Sequence, residues 1–209
     1  MKFELAKYAE GLTLAEYLQI EQDLVREVQE PTLFTWIVSP TVIYGRHQSA
    51  EAEVNETYCR EHGVAVVQRK SGGGCVYADR GNVMLSFILP STHSEQVFAD
   101  TICLLAKALT DLGYEAVTTE HNDILVAGHK VSGSACYTSP TGTIVHSTML
   151  YDVDFDALHQ AITPSPAKLA KHAVQSVRQR VANLKQIKNI GSTEDFRRAL
   201  EKMIIKNYD

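Results

Sequence analysis

One stretch of this 209-residue chain decides its fold, Arg69-Lys70-Ser71-Gly72-Gly73-Gly74-Cys75-Val76-Tyr77. Three consecutive glycines lie there between two apolar runs, Val64–Val67 and Val83–Leu89. Glycine has no Cβ, so backbone N–H groups in such a segment can approach a ligand closely. Amides of this kind, with cations beside them, bind anions. The stretch therefore predicts a loop between two strands, and this loop is either a plain hairpin or an anion-binding loop.

A second motif has similar chemistry: Asn122-Asp123-Ile124-Leu125-Val126-Ala127-Gly128-His129-Lys130-Val131-Ser132-Gly133-Ser134-Ala135. Its apolar run predicts a short strand, and Gly128-His129 predicts a tight turn into another strand. Alternate side chains of a strand share a face, so one cation and two hydroxyls are expected to project together. Such a set suits a phosphate or a carboxylate. The two expected faces are Lys130, Ser132 and Ser134 on one side, and Val131, Gly133 and Ala135 on the other.

A third segment, Thr143–Leu150, also alternates and places His146 and Thr148 on one face. A histidine in a strand has two interpretations, a structural residue with satisfied hydrogen bonds or a ligand-binding one. The strand pattern leaves both open.

The remaining sequence predicts a mixed α/β organisation. Thr13 and Glu16 have capping-box spacing at the start of a helix that reaches about Glu27. Glu95–Leu112 repeats apolar residues at helical spacing, and Gly113 ends it. The other expected elements are helices at residues 55–63, 155–162 and 194–207, strands at 33–38, 42–45, 64–68, 76–77 and 83–89, and four strands between residues 115 and 150.

Together these motifs resemble those of the lipoate–protein ligase A family, within the biotin/lipoate ligase and octanoyltransferase superfamily. The resemblance extends over roughly residues 35 to 185 and ends near the segment Ser176–Leu184. It implies a biotin/lipoate ligase-like catalytic domain of the α/β (α+β) class, with mixed, largely antiparallel β-sheets flanked by helices. Five segments carry it, in this order: Gly45–Gln48, Arg69 with Gly72-Gly73-Gly74, Asp79–Asn82, Asn122-Asp123 with Lys130–Ala135, and His146–Leu150.

The resemblance also implies a reaction. ATP activates lipoate or octanoate to an acyl-adenylate, and the acyl group passes to a lysine of a lipoyl carrier domain. Lys130 is the implied catalytic residue, since an ammonium can contact both the acyl carbonyl and the α-phosphate. ATP and Mg²⁺ are the implied cofactors, lipoate is the substrate, and Asp123 is the implied Mg²⁺ ligand. The implied substrate-binding and ATP-binding positions are Arg69, Gly72, Gly73, Gly74, Cys75, Val76, Tyr77, Asn82, Asn122, Asp123, Ser134, Ala135 and His146.

Two features depart from the family pattern. The residue after Tyr77, commonly histidine in the family, is Ala78. Ligases that perform both half-reactions often carry an accessory C-terminal domain, and this sequence ends at Asp209. We therefore expect one catalytic domain, residues 1–209, without the accessory domain, so that activation proceeds either alone or with a separate accessory protein.

Two alternatives to the ligase remain. Related octanoyl and lipoyl transferases pass the acyl group through a cysteine thioester. The segment Tyr114–Asp123, where the relatives most like ligases place that cysteine, has none. Cys136 would lie roughly 20 Å from Lys130 along an extended strand, whereas Cys75 lies in the glycine loop. The second alternative is a non-catalytic subunit that binds lipoate or its adenylate.

Composition excludes several classes of partner. The formal net charge of −5 argues against nucleic acid. No run of eighteen apolar residues indicates a membrane span. Four cysteines without metal-ligand spacing indicate reduced thiols and a cytoplasmic location. The partners that the resemblance implies are lipoyl carrier domains of 2-oxoacid dehydrogenase complexes or the glycine cleavage H protein, and a separate accessory-domain protein.

Overall fold

The structure, a computed structural model, describes residues 4–6, 10–119, 123–162 and 181–208. The strands in these ranges form two sheets. Their bounds in chain order are β1 Glu4–Leu5, β2 Thr32–Trp36, β3 Thr41–Tyr44, β4 Ala65–Gln68, β5 Val76–Ala78, β6 Asn82–Leu89, β7 Ala116–Thr118, β8 Ile124–Val126, β9 His129–Thr138 and β10 Thr143–Leu150.

The larger sheet has seven strands in the order β1-β2-β6-β10-β9-β8-β7. Only β1 and β2 pair in parallel; the other neighbours are antiparallel. The smaller sheet has the order β4-β3-β5, with β3 parallel to β4 and antiparallel to β5. The expectation of mixed, largely antiparallel sheets is confirmed.

The helices in the described ranges surround these sheets. The helix α1 begins with the predicted capping box, in which the Glu16 N–H donates to Thr13 Oγ1 at 3.3 Å and Glu16 accepts from the Thr13 N–H at 2.7 Å. The helical bounds are α1 Leu14–Glu27, α2 Ala50–Glu53, α3 Glu56–Glu61, α4 Ser94–Asp111, α5 Phe155–Ala161, α6 Leu184–Ile187 and α7 Thr193–Tyr208.

Helices cover both faces of the larger sheet, which is why all eight residues of β6 are buried. The first core lies on the side of α4 and α7, where Leu85 and Val145 meet Leu105 and Leu200. The second core lies on the other side, between the sheet and α1. A third core joins the smaller sheet to α3 and α5. The site described below lies on the α1 side.

Most predicted elements are present within a residue or two of their expected bounds. Three elements were not predicted from the sequence: β1, α2 and α6. The strand β1 has two residues and each helix has four, so none is long enough to display a repeat of apolar positions. In the part of the chain that the structure describes, no helix combines the length and apolar character needed to cross a membrane.

Candidate active site

Arg69 organises the glycine loop from inside. Its Nη2 donates to the carbonyl oxygens of Gly72 and Gly74 at 2.7 and 2.8 Å, and its Nη1 donates to Ile43 O at 3.2 Å. Its Nε donates to Ser71 Oγ at 3.1 Å and to Gly72 O at 3.2 Å. Burial lowers the pKa of this guanidinium. These bonds make Arg69 a residue that shapes the loop, and the ligand contact that the sequence analysis expected stays a prediction.

Gly45 and Gly73 let the loop fold this tightly. Gly73 has a φ of +91°, and a Cβ there would lie 2.9 Å from Arg69 Nη2. A Cβ on Gly45 would collide with the carbonyl oxygen of Gly73. Both positions therefore require glycine, one for its dihedral angle and close approach, the other for close approach alone.

Gly72 and Gly74 differ from Gly73 in their surroundings. A Cβ built on either would have no heavy atom of the protein within 4 Å. Their carbonyls are turned to Arg69, while the side of the backbone from which a Cβ would project faces open space. A ligand can therefore approach the chain at these two glycines without displacing a side chain.

The loop lies over the paired strands β9 and β10. A Cβ on Gly73 would be 4.0 Å from the Cβ of Ala135. Ala135 pairs with His146, and Gly133 pairs with Thr148, so these four residues share one face of the sheet. We call this surface of Gly133, Ala135, His146 and Thr148 the site face.

Lys130 also lies on the site face, which corrects the predicted alternation of β9. Its Cε is 4.0 Å from the Cβ position of Gly133. Leu125 pairs with Lys130 and Ile124 with Ser132, so Val131 is an extra residue that bulges the strand. A bulge of this kind shifts which residues share a face. The expected set of Lys130 with Ser132 and Ser134 is therefore wrong.

Ser132 and Ser134 belong to the opposite face of the sheet. Ser134 Oγ lies 2.8 Å from Ser147 Oγ on the neighbouring strand, and Ser132 pairs with the buried Met149. The first core lies on this side. The hydroxyl of Ser134 therefore points away from the loop, and a ligand contact of this residue stays a prediction.

Asp123 is the ion-pair partner of Lys130. The Nζ–Oδ1 distance is 2.7 Å, and the two side chains are 36% and 31% exposed for lysine and aspartate. Asp123 is held at the end of β7, since its N–H donates to Thr119 Oγ1 at 3.2 Å and its carbonyl accepts from the Thr119 N–H at 3.0 Å. The N–H of Ala182 donates to Lys130 O at 3.1 Å. The cation therefore has a defined position and remains accessible.

His146 connects the loop to α1. Its Nε2 is 2.7 Å from Ser71 Oγ, and its Nδ1 is 3.2 Å from Glu21 Oε2. Ser71 and Glu21 are both almost fully buried. The sequence analysis left a structural and a ligand-binding role open for His146, and these contacts show that it holds neighbouring elements together.

A pocket of about 160 Å³ adjoins this connection. It lies between α1, the start of the glycine loop and the sheet. Aliphatic side chains line part of it, and His146 and Ser71 lie at its wall. A larger cavity of about 640 Å³ is lined by charged residues such as Arg197 and Glu201, by apolar ones such as Phe34 and Trp36, and by none of the predicted site residues. The smaller pocket is therefore the one that adjoins the predicted site residues.

Asn82 and Tyr77, which the sequence analysis expected in the ligand site, have structural contacts, and their contact with a ligand stays a prediction. Asn82 Oδ1 accepts from the Asp79 N–H at 3.0 Å, and the residue is fully buried. The Asp79 carboxylate, whose pKa is raised by burial, accepts from the N–H groups of Gly81 and Asp154. Tyr77 lies in the third core. These residues brace the turn before β6.

The other predicted positions are divided between the loop and the cores. Val76 packs against the second core and Cys75 against the third, so their side chains support the loop from behind. Asn122 lies outside the described residues, as do residues 176–180 of the last family-like segment.

Cys136 is poorly placed to carry an acyl thioester next to Lys130. It pairs with Val145, packs against the first core, and so lies on the face opposite the site face. Burial also raises the pKa of its thiol. A thiolate is the reactive form, so this environment disfavours nucleophilic attack.

The described residues contain no cluster of three or more His, Cys, Asp or Glu side chains that could hold a metal ion. Asp123 offers one carboxylate. Mg²⁺ commonly binds one or two carboxylates together with substrate phosphates. The single carboxylate fits an ion that arrives with a nucleotide.

The model of the lipoyl protein ligase A/B catalytic domain matches residues 7–205 of the sequence. The chain belongs to this family. One curated relative is lipoate–protein ligase 1 of Staphylococcus aureus, 36% identical over 181 residues, which are 84% of this chain and 54% of the relative. The match to the lipoate–protein ligase of Bacillus subtilis covers 59% of that relative. The chain therefore spans little more than half the length of these two relatives.

Solved structures of lipoate–protein ligases share the fold. A bi-partite lipoate protein ligase from Thermoplasma acidophilum, described with its E2 lipoyl domain, has a TM-score of 0.86 at 25% identity and covers 100% of this chain and 84% of its own. A lipoate-protein ligase A bound with ATP has a TM-score of 0.85 at 25% identity, covering 100% and 86%.

Three residues of this family member escaped the sequence analysis as site residues. Glu21 lies on the apolar stripe of α1 and breaks it, while Ser71 was named only as part of the glycine stretch and Gly45 only as part of a family-like motif. The break at Glu21 was a usable signal, since a charged residue on a core-facing stripe needs a buried partner. The contacts of Ser71 and Gly45 depend on chain segments that meet only in the fold.

Proposed function

We propose that this chain is a lipoate–protein ligase catalytic unit that makes and uses an acyl-adenylate. The observation that carries the proposal is Lys130, an accessible cation on the site face, over which the glycine loop lies. The family and the names of its relatives agree with it. The substrate is lipoate or octanoate, and the acceptor is a lysine on a lipoyl carrier domain.

The first half-reaction activates the carboxylate. A carboxylate oxygen attacks the α-phosphorus of ATP, the bond between the α- and β-phosphates breaks, and pyrophosphate leaves. The product is a mixed anhydride of the acid with AMP. Negative charge increases on the α-phosphate during attack, so a nearby ammonium stabilises the transition state.

The second half-reaction transfers the acyl group. The neutral amine of the acceptor lysine attacks the acyl carbonyl, the bond from that carbon to the AMP oxygen breaks, and AMP leaves while the amine loses a proton. No enzyme nucleophile is needed. Lys130 acts in both steps, because its Nζ can contact the carbonyl oxygen and the phosphate that becomes the leaving group.

The glycine loop holds the anionic part of the ligand in this proposal. The open side of Gly72 and Gly74 receives it, and Arg69 keeps the loop in shape from within. Asp123 orients Lys130 and, with the nucleotide phosphates, would hold the Mg²⁺ that accompanies ATP; that ion would neutralise phosphate charge. The pocket of about 160 Å³ next to His146 receives the apolar acyl chain.

The partners follow from the acceptor chemistry. We propose lipoyl carrier domains of 2-oxoacid dehydrogenase complexes or the glycine cleavage H protein as acceptors, in the cytoplasm, where ATP is available. A separate accessory protein in the activation step is part of the same proposal. The description of one similar ligase as bi-partite supports it.

A two-arm assay tests the proposal. The purified chain is incubated with lipoate, ATP, Mg²⁺ and an acceptor domain in one arm, and with preformed lipoyl-AMP and the acceptor in the other, and mass spectrometry measures the acylated acceptor. Product in both arms supports a complete ligase. Product from the adenylate alone supports a transferase that needs a partner for activation. Tight adenylate binding without product in either arm would contradict catalysis and favour the binding subunit.

A further inference from the structure

Glu21 is a buried carboxylate with an unusual set of partners. It lies on the core-facing side of α1 among Leu14, Tyr17 and Val25, and only 1% of its surface is exposed. A carboxylate removed from water is costly unless hydrogen bonds or a positive charge compensate. Among the described residues, the one ion-pair partner recorded for Glu21 is His146. The carboxylate therefore depends on donated hydrogen bonds.

The hydrogen bonds around Glu21 have a defined direction. Trp36 Nε1 can only donate, and it lies 3.0 Å from Ser86 Oγ, so that oxygen accepts. The Ser86 hydroxyl proton is then free to donate to Glu21 Oε1, at 2.6 Å. On the other side of the carboxylate, Oε2 is 3.2 Å from His146 Nδ1. A carboxylate that is ionised can only accept, so with Glu21 in that form the proton of this bond is on Nδ1.

The same reasoning applies at the glycine loop. Arg69 Nε can only donate, and it lies 3.1 Å from Ser71 Oγ. A hydroxyl has one proton and two acceptor sites, so Ser71 can accept from Arg69 and donate to His146 Nε2, which is 2.7 Å away. In that arrangement Nε2 carries no proton, and His146 is neutral with its proton on Nδ1.

We propose that Glu21 is a positioning residue that sets the tautomer of His146 and thereby holds the glycine loop in its ligand-binding shape. The effect on ligand affinity rests on the function proposed above; the tautomer and the loop geometry do not. Glu21 acts through His146 and Ser71 on a loop that is distant in sequence. If Nδ1 lost its proton to Nε2, Nε2 and the Ser71 hydroxyl would present two donors to each other, and the hydroxyl would have to turn away.

Glu21→Gln is the main test, because it keeps the shape of the side chain and removes its charge. The matched control is Asp23→Asn, the same change two residues along α1, at an exposed acid that pairs with Arg26. The nitrogen chemical shifts of His146 report which ring nitrogen carries the proton. The amide resonances of Gly72–Gly74 report the loop. Calorimetric titration with a non-hydrolysable lipoyl-AMP analogue reports affinity.

In the wild-type protein we expect the proton on Nδ1. In Glu21→Gln we expect a shift of the population towards Nε2–H, displaced Gly72–Gly74 amides and about tenfold weaker analogue binding, the scale of a lost hydrogen bond to a charged group. Asp23→Asn should change none of the three. Finding Nε2–H in the wild type, or a tautomer shift without any change in the loop amides, would overturn the proposal.

Ser71→Ala provides a second route if Glu21→Gln does not fold. It preserves the bond between Glu21 and His146 but removes the link to the loop. We expect the Nδ1 proton to remain while the loop amides shift and affinity falls, and unchanged amides would refute the link. A wild-type protein that does not bind the analogue would count against the proposed function, whereas the tautomer and amide measurements would still decide the role of Glu21.

Discussion

Lys130 and Asp123 form an ion pair whose Nζ–Oδ1 distance is 2.7 Å. The bulge at Val131 is what brings the lysine to the site face. The pair is partly exposed, so it contributes little to stability. The role that we propose for the pair is in the chemistry instead.

Lys130→Ala should remove acyl transfer without unfolding the protein. We expect a loss of at least about 100-fold in kcat, the scale of one missing oxyanion donor. The free energy of unfolding should fall by no more than about 1 kcal/mol, as for other exposed ion pairs. Transfer from preformed lipoyl-AMP and chemical denaturation measure the two effects. The control is Lys185→Ala, because Lys185 forms an ion pair of 2.6 Å with Asp152 and is not a site residue. Equal losses in both variants would contradict the assignment.

The glycines of the loop should separate into two classes. Gly74 has no positive φ, and its Cβ position is open, so Gly74→Ala should leave the melting temperature unchanged but weaken binding of a lipoyl-AMP analogue. Gly73→Ala should destabilise the protein by about 1–2 kcal/mol even without ligand, because alanine disfavours a left-handed dihedral angle. Thermal unfolding with and without the analogue checks both. Normal affinity in Gly74→Ala would show that the ligand lies elsewhere.

Arg69→Lys should destabilise the loop. Lysine has a single amine and cannot bond the carbonyls of Ile43, Gly72 and Gly74 together, so buried acceptors lose their partners. We expect a loss of about 1–3 kcal/mol in the free energy of unfolding. Denaturation at low and high salt tests the mechanism, since a buried network is little screened. A loss of affinity that disappears at high salt, with normal stability, would instead indicate direct phosphate contact.

Removing the thiols should have little effect on transfer. Cys75→Ala and Cys136→Ala, singly and together, should retain most activity, because an adenylate route needs no sulfur nucleophile. The rate of acceptor acylation provides the measurement, and intact-protein mass spectrometry provides the control for covalent intermediates. An acyl group on either cysteine that hydroxylamine releases would assign the chain to the thioester mechanism.

The sequence alone determined the local elements and the family. The capping box of Thr13 and Glu16, the apolar repeat of α4 and the alternation of β10 depend on neighbouring residues, so each is visible in a single sequence. The glycine triplet and Lys130 were identified in the same way. The resemblance to lipoate–protein ligases depended on these motifs in order.

Only the tertiary structure decided which way the polar groups point. The bulge at Val131 arises from pairing with β8, and it turned Lys130 away from Ser132 and Ser134. Arg69 was expected to contact a ligand, yet it donates inward because the loop folds around it. Glu21 and His146 are far apart in sequence and meet only when α1 packs on the sheet. Such contacts join separate segments, and no local pattern of residues can reveal them.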